Sequence, residues 1–459
     1  MYSPNHKKEF KKIEKKFAKD QGLAFKEVIS TEEIYDAMKQ ANMSYRHRIL
    51  TPFIVLWAFL SQVFNEDSSC KKATKSIVSF FQSIGRRIKL TDSAYCQARQ
   101  RLPENFLSLL AHNVAKKQSE SVPTNNLWCG RKVKIVDGSS CNMADTPENQ
   151  QVYPQSASQK PGCGFPLVRL VTIFCLVTGF ILEMYMAPMV ASERRLFLQH
   201  FCDLTRGDVI LTDRGFCSYV EIAMLLSYGI DSVMRMNAAK KVNFYEGQIL
   251  GFHDHIVTWQ KPATRSPMLT PEQFDLLSPT LELREIHYLV AINGFRTQEV
   301  IVVTTLLDAE RYTKWDIERL YRRRWQAELY LRDVKITMKM EFINSKTPEM
   351  VRNQIWVHVL AYNLIRRLMW QAGCTYDAKP LRISLKGTID TVELYRSRLA
   401  NSNSCTLPVV YQDFLLAIAE DIIPDRPNRY EPRVLKRRKK PKFGYLMTPR
   451  LQYRQRLGL

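Results

Sequence analysis

The chain has 459 residues, of which 45% are hydrophobic, so it can bury a sizeable core and is too long for one ordinary domain. Its formal net charge is +22 at pH 7, and the sequence pI is about 9.5. A charge of this size attracts polyanions, either nucleic acid through counterion release or anionic lipid. This composition excludes a disordered or fibrous chain and predicts three or four folded modules.

Neither a secretory signal nor a membrane helix is evident. The first twenty residues are polar and rich in lysine, without the apolar centre of a signal peptide. The longest apolar stretch, Leu170–Leu182, is interrupted by Thr178-Gly179 and falls short of the roughly 20 residues that a membrane helix needs. It predicts a buried β-hairpin instead. We therefore expect a cytoplasmic protein whose partner is nucleic acid and not a membrane.

Residues 1–125 predict a helical N-terminal DNA-binding domain. The apolar run Phe53–Phe64 and its neighbours are separated by polar turns. Thr91 can cap a helix that presents Arg99 and Arg101, as the second helix of a helix-turn-helix unit would. An arginine face that only contacts solvent is an equally consistent interpretation of this helix.

Residues 126–238 predict the first part of an α/β core. The β-branched run Val133–Val136 predicts a strand that ends at Asp137, and Asp208–Thr212 predicts a second strand that ends at Asp213. Two buried strands with acidic ends indicate one mixed sheet whose edge holds a site.

Three further segments complete the predicted organisation. Residues 239–306 predict a β-rich insertion, and residues 307–400 predict the second part of the core, with a long helix over 348–372. Residues 401–459 form a basic C-terminal segment, in which five consecutive basic residues stand out: Lys436, Arg437, Arg438, Lys439 and Lys440. Such a tail can become ordered on a phosphate backbone, or it can serve only to keep the protein soluble.

The helix predicted after the insertion carries Tyr321, Arg324, Glu328 and Lys335. At about 100° per residue these four side chains project within roughly 60° of one another and form a single stripe. The stripe combines a carboxylate with three groups that can bind phosphate. Such a carboxylate can hold a cation while its neighbours fix a nucleic-acid backbone, as metal-dependent cleavage requires.

Asp137, Asp213 and Glu328 are the candidate metal ligands. In-line attack on a phosphodiester is assisted by two divalent ions, and crowded carboxylates are typical of such a metal site. Mg²⁺ suits oxygen ligands of this kind. Taken singly, an Asp before Gly is usually a turn former and a helical Glu is usually a solvated ion-pair partner. The agreement of all three placements favours one shared site.

These motifs resemble those of the IS4 family of insertion-sequence transposases, whose pattern is D-G-[ST], then D-[RA]-[GA]-[YF], then Y-x2-R-x3-E-x6-K. The matching residues of this chain are Asp137-Gly138-Ser139, Asp213-Arg214-Gly215-Phe216, and Tyr321, Arg324, Glu328 and Lys335. The resemblance covers most of the chain, from roughly the Thr91 helix to the basic tail. It implies an RNase H-like core that is interrupted by a β-rich insertion before the catalytic helix.

The resemblance also implies a DDE mechanism. Asp137, Asp213 and Glu328 would bind two Mg²⁺ ions, for which Mn²⁺ is an expected substitute. Water would nick the end of the element, and the freed 3′-OH would attack target DNA in a cut-and-paste reaction, with a hairpin intermediate as one route. Tyr321, Arg324 and Lys335 would hold phosphates, and Trp325 would pack against the DNA end. The family further implies a homodimer on DNA, at the bacterial nucleoid.

Two other functions remain open at this point. A non-catalytic DNA-binding regulator would explain the charge, the Arg99 helix and the tail, but it leaves the three acids without a purpose. An RNase H-like nuclease, such as a junction resolvase, would use the same metal chemistry without strand transfer. Loss of cleavage on replacing Asp137 separates an enzyme from the regulator, and strand joining separates a transposase from the nuclease.

Overall fold

The computed structural model describes residues 4–25, 28–46, 48–65, 67–201, 204–237, 240–290, 298–424 and 446–458, so the predicted basic run from Lys436 to Lys440 lies outside the described residues. The chain forms two compact units. The helical unit comprises Met1–Ser121, Thr178–Leu182 and Arg332–Ile423. The sheet unit comprises Val122–Val177, Glu183–Leu331 and Pro424–Leu459. The five segments predicted from the sequence stay predictions.

The helices and strands alternate only in the middle of the chain. In chain order they are α1 (Pro4–Gly22), α2 (Thr31–Gln40), α3 (Pro52–Phe64), α4 (Cys70–Ser83), α5 (Asp92–Gln100), α6 (Glu104–Glu120), β1 (Val133–Met143), α7 (Pro147–Val152), β2 (Leu167–Cys175), β3 (Ile181–Pro188), α8 (Glu193–Leu198), β4 (Val209–Thr212), α9 (Tyr219–Ser227), β5 (Asp231–Arg235), β6 (Gln248–Gly251), β7 (Asp254–Gln260), α10 (Pro271–Asp275), β8 (Thr280–Val290), β9 (Gln298–Thr304), α11 (Lys314–Arg322), α12 (Trp325–Arg332), a π-helical turn (Asp333–Thr337), β10 (Phe342–Ile343), α13 (Pro348–Thr375), α14 (Leu385–Asn401), α15 (Leu407–Glu420) and α16 (Arg450–Arg456).

The sheet unit is built on a mixed sheet, as predicted. Its strands neighbour one another in the order β3-β2-β1-β4-β5-β9-β8-β7-β6. β1 pairs antiparallel with β2 and parallel with β4, and β4 pairs parallel with β5. From β5 outward the pairs are antiparallel. The strands of the predicted insertion therefore extend the same sheet, because β9 adds directly to β5.

β1 is longer than predicted. The expectation that this strand ends at Asp137 is wrong, because β1 continues to Met143. Its pairing with β2 runs without interruption from Lys134 to Asn142, whereas its pairing with β4 ends at Ile135. Gly138 forms no turn, because it lies opposite Val171 inside this antiparallel ladder.

The predicted hairpin and the long helix are both confirmed. β2 and β3 are neighbours in the sheet. In the helical unit, the turn between them is held by α13: Tyr362 Oη donates to the carbonyl of Gly179 at 2.9 Å, and the Asn363 amide bonds both the N–H and the carbonyl of Ile181 at 3.0 and 2.9 Å. These buried backbone groups thereby find partners. Among the described helices, none combines the length and apolar character needed to cross a bilayer.

The predicted helix that carries Arg99 is also present, as α5. Thr91 caps it, since Thr91 Oγ1 accepts a hydrogen bond from the N–H of Ala94 at 3.2 Å. Residues 84–91 separate α4 from α5. This connection is longer than the roughly three- to four-residue turn of a helix-turn-helix unit. A helix-turn-helix made of α4 and α5 is therefore not what the structure contains.

Arg284 on β8 is 1% exposed and anchors the outer part of the sheet. It forms a two-pronged ion pair with Asp254 on β7 at 2.8 and 2.6 Å, and it donates to the carbonyl of Tyr312 at 2.6 Å. We predict that Arg284→Met costs about 3–5 kcal/mol, because Asp254 is left buried without a counter-charge. The double variant Arg284→Met/Asp254→Leu removes both charges and should recover a large part of this loss. Urea unfolding measures both, and equal midpoints for the single and double variants would contradict the explanation.

Candidate active site

The strand register brings Asp137 and Asp213 to the same level of the sheet. Val133 pairs with Val209 and Ile135 with Leu211, in parallel. Two residues further along each strand, the same spacing sets Asp137 beside Asp213. Adjacent strands lie about 4.8 Å apart. The first two predicted acids are therefore close neighbours at the end of β4, although β1 itself continues.

Both acids accept a hydrogen bond from a nearby glycine. Asp137 Oδ1 accepts from the N–H of Gly138 at 3.0 Å, and Asp213 Oδ1 accepts from the N–H of Gly215 at 2.8 Å. A Cβ at Gly215 would lie 3.0 Å from Asp213 Oδ1, which is tighter than an ordinary contact. The glycine in the second motif therefore allows the backbone to approach this carboxylate closely.

The segment that carries the third motif is not the single helix predicted from the sequence. α11 ends at Arg322 and α12 begins at Trp325. Between them, Arg323 N–H bonds the carbonyl of Leu320 at 2.9 Å, and Arg324 N–H bonds that of Tyr321 at 3.0 Å. These bonds span three residues, and such a tight turn keeps residues three apart on the same side.

The two arginines in this break, Arg323 and Arg324, contact different partners. Arg323 Nη2 donates to the carbonyl of Leu176 at 3.1 Å. Arg324 Nη2 instead contacts Glu328 Oε1 at 2.6 Å, and Arg324 Nη1 lies 3.9 Å from Asp137 Oδ2. The Arg324 and Asp137 side chains are each 15% exposed, and that of Glu328 is 39% exposed. Arg324 therefore lies between the first and third predicted acids.

Glu328 is held over the sheet by α12. The ring of Tyr330 on α12 lies 5.4 Å from that of Phe174 on β2, which is the strand next to β1. Burial raises the pKa of Asp137 to about 6, although the Arg324 guanidinium opposes this shift. The Asp213 and Glu328 carboxylates raise the same pKa further, because like charges disfavour ionisation. The structure thus brings all three acids within electrostatic range of one another.

Tyr321 and Lys335 of the third motif, and Trp325 next to Arg324, lie in different surroundings. Tyr321 is 7% exposed, and burial raises the pKa of its phenol, so its hydroxyl stays protonated at neutral pH. Trp325 is 55% exposed. Lys335 belongs to the helical unit, where it lies in the π-helical turn and lines a cavity of about 920 Å³.

Arg99 lines the same cavity of the helical unit as Lys335. Its guanidinium lies 4.8 Å from the ring of Phe59 and donates to Gln62 Oε1 at 3.3 Å. Arg99 is therefore half-buried and does not form an arginine face that contacts only solvent. Arg101, at the C-terminal end of α5, is exposed. DNA contacts for both arginines stay a prediction.

Sequence reasoning missed one basic residue at this edge of the sheet. β4 and β5 pair in parallel, with Thr212 opposite Met234, so Arg235 lies level with Asp213. The positive charge of Arg235 lowers the pKa of the Tyr321 phenol, against the larger effect of burial. In the sequence, Arg235 could have been recognised only from its position at the end of the strand that follows the Asp213 strand, because it belongs to no motif.

The donor chemistry of the three acids fits a hard divalent cation. Carboxylate oxygens are the ligands that Mg²⁺ prefers, and mutual repulsion of crowded carboxylates is relieved when a cation binds. In the part of the chain that the structure describes, no group of three or more His, Cys, Asp or Glu side chains is arranged to hold an ion. At this site the Arg324 guanidinium lies between Asp137 and Glu328 instead.

Known transposases are similar to this chain. Residues 128–364 match the family model described as Transposase DDE domain, and the chain belongs to this family of DDE transposases. It is 27% identical over 365 residues to the transposase InsG for insertion sequence element IS4 of Escherichia coli (strain K12), across 77% of this chain and 78% of that protein. The resemblance to the IS4 family is thereby confirmed.

A solved structure is also similar to this chain. It is a cryo-EM structure of the piggyBac transposase synaptic complex with hairpin DNA, matched with a TM-score of 0.41 and 10% sequence identity. The match covers 85% of this chain and 84% of that chain.

The raised pKa of Asp137 predicts a pH-dependent stability. Its folded pKa of about 6 exceeds the ordinary value of 3.8, so the ionised carboxylate destabilises the fold above pH 6, and this penalty fades as the pH falls toward 4. Metal-free Asp137→Asn should therefore be more stable than the natural chain at neutral pH, by on the order of 2 kcal/mol. Thermal unfolding in EDTA at neutral pH and near pH 5 measures the difference. Exposed Glu310 provides the control Glu310→Gln, and a gain that does not shrink at the lower pH would show that ionisation of Asp137 is not its cause.

Proposed function

We propose that this chain is the DNA transposase of an insertion sequence, with an RNase H-like catalytic core. It cuts DNA at the ends of its element and joins the freed 3′ ends to target DNA by cut-and-paste. The observation that carries this proposal is the convergence of three acids from separate motifs, with Asp137 level with Asp213 in the sheet and Glu328 linked to Asp137 through Arg324. Membership of the DDE transposase family supports it.

In this proposal Asp137, Asp213 and Glu328 hold two Mg²⁺ ions, with Mn²⁺ as a substitute. Bound divalent ions supply activation of the attacking oxygen and stabilisation of the leaving oxygen in an in-line displacement. The three carboxylates would hold these ions at the end of β4, and the ions would position the reacting phosphodiester there. Water is the nucleophile in the nicking step, and the DNA 3′-OH is the nucleophile in the joining step.

The surrounding residues would hold the DNA. The protonated Tyr321 hydroxyl can donate to a phosphate oxygen, and Arg324 and Arg235 can neutralise phosphate charge. Exposed Trp325 can pack against a terminal base. From the helical unit, Lys335, Arg99 and Arg101 would contact the DNA backbone, as would Lys436 to Lys440 in the tail. We further propose that a homodimer forms on the two element ends, at the bacterial nucleoid.

We predict that Asp137→Ala, Asp213→Ala and Glu328→Ala each abolish cleavage of end DNA while binding of that DNA survives. The loss should be at least about 10³-fold, because each carboxylate is a ligand in the only charge-stabilising centre proposed for the reaction. The substrate is duplex DNA from the flanks of the gene, with Mg²⁺, resolved on a denaturing gel. Glu310→Ala provides a control that removes an exposed acid of the same unit. Undiminished cleavage in any of the three variants would remove that residue from the site.

The same gel separates the candidate functions. A joined product between the cleaved 3′ end and unrelated DNA is the result expected of a transposase, and a hairpin band would reveal the route of second-strand cleavage. Persistent cleavage without any joined product would favour an RNase H-like nuclease. Binding without cleavage in the natural chain would favour a regulator.

Lys335→Ala should weaken binding of end DNA and reduce the dependence of binding on salt. The slope of log K against log[salt] is negative, and each phosphate contact that is lost reduces its magnitude by about 0.9. Affinity measured at several salt concentrations gives this slope directly. An unchanged slope would mean that Lys335 makes no phosphate contact. Lys335→Arg keeps the positive charge, so this variant should retain most of the natural chain's DNA affinity and salt dependence.

A further inference from the structure

Three consecutive arginines follow Tyr321, and only the last of them faces the acids. Arg322 lies near Glu318 at 3.9 Å and over the ring of Tyr288 at 5.8 Å. Arg323 donates a hydrogen bond to the carbonyl of Leu176. Arg324 contacts Glu328 at 2.6 Å and lies 3.9 Å from Asp137. The guanidinium of Arg324 is therefore the positive charge at the centre of the proposed metal site.

A divalent ion and this guanidinium compete for the same oxygens. Mg²⁺ requires oxygen ligands at about 2.0–2.1 Å in near-octahedral geometry. Glu328 Oε1 is already occupied by Arg324 Nη2 at 2.6 Å. A cation between Asp137 and Glu328 would also lie beside a fixed positive charge, in a place where both Asp137 and Arg324 are largely shielded from water. An ion that took these oxygens would therefore displace the Arg324 guanidinium.

We propose that Arg324 is a latch that couples metal binding to DNA binding. In the DNA-free protein its guanidinium pairs with Glu328 and Asp137 and opposes entry of divalent ions. A phosphate of the bound DNA end attracts the guanidinium and frees both carboxylates for the ions. The latch rests on the proposed function, since it assigns a regulation to the same site.

The geometry favours such an exchange of partners. Phosphate accepts two parallel hydrogen bonds from a guanidinium, as a carboxylate does. The Glu328 side chain is 39% exposed, so water can replace Arg324 on this carboxylate when the guanidinium leaves. Arg324 also lies in the tight turn between α11 and α12 rather than inside either helix.

The consequence is that the metal site fills only weakly until DNA is present. Without DNA, Arg324 offsets part of the negative charge of the acids and occupies Glu328, so the acids hold ions poorly. With DNA, the same residue changes from competitor to phosphate ligand. By thermodynamic reciprocity, bound metal must then strengthen DNA binding by the same factor by which DNA strengthens metal binding.

The test measures Mn²⁺ binding to the full-length protein by the EPR signal of the free ion, without any assay of activity. In the absence of DNA, Arg324→Gln should bind Mn²⁺ at least about tenfold more tightly than the natural chain. Adding duplex DNA from the gene's flanks should raise the Mn²⁺ affinity of the natural chain and change that of Arg324→Gln much less. Arg324→Lys, which keeps the positive charge, should stay closer to the natural chain.

A matched control is Arg319→Gln, which removes an exposed arginine of α11 that lies over Trp315 at 4.1 Å. It should leave Mn²⁺ affinity unchanged, and thermal unfolding confirms that each variant is folded. Equal or weaker Mn²⁺ binding by Arg324→Gln, abolished by Asp137→Ala, would overturn the latch and leave the proposed metal site intact. Mn²⁺ binding that survives Asp137→Ala in the Arg324→Gln background would overturn the proposed metal site itself.

Discussion

The parallel pairing of β1 with β4 is the constraint on which the candidate site depends. Its register is fixed by three residue pairs, from Val133 to Ile135 on β1 and from Val209 to Leu211 on β4, in which Val133, Ile135 and all three β4 residues are buried and apolar. A slip by one residue would turn these side chains to the opposite face of the sheet. The pairing of these buried segments at the start of the two strands therefore brings two like charges, Asp137 and Asp213, side by side at the end.

Placing two acids together creates an electrostatic cost that the surrounding residues meet only in part. Asp137 is buried beside Asp213 and Glu328, and its pKa rises to about 6 despite the nearby Arg324 guanidinium. The Gly138 N–H provides one stabilising hydrogen bond at 3.0 Å. A positive charge placed among these carboxylates would lower this cost, because it favours their ionised form.

Local pattern predicted the parts of this fold that depend on nearby residues. The apolar strands, the hairpin, α13 and the capped α5 follow from periodicity and end signals. The predicted end of β1 at Asp137 was wrong. Asp-Gly usually marks a turn, but the length of this strand is decided by its pairing with β2. The break at Arg323 coincides with a hydrogen bond from its guanidinium to the carbonyl of Leu176, which is distant in sequence. Arg235 was missed because its importance comes only from its level in the sheet beside Asp213.

The position of the insertion strands explains how Glu328 reaches the two aspartates. β9 pairs antiparallel with β5, with Thr304 opposite Val233 and Val302 opposite Arg235. The chain therefore leaves β9 toward the edge of the sheet at which β5 begins, away from Asp213. α11 contacts β5 and must run back along it for Arg324 to reach Asp137 at the opposite edge. β8 also holds this path, because Arg284 donates to the carbonyl of Tyr312 just before α11.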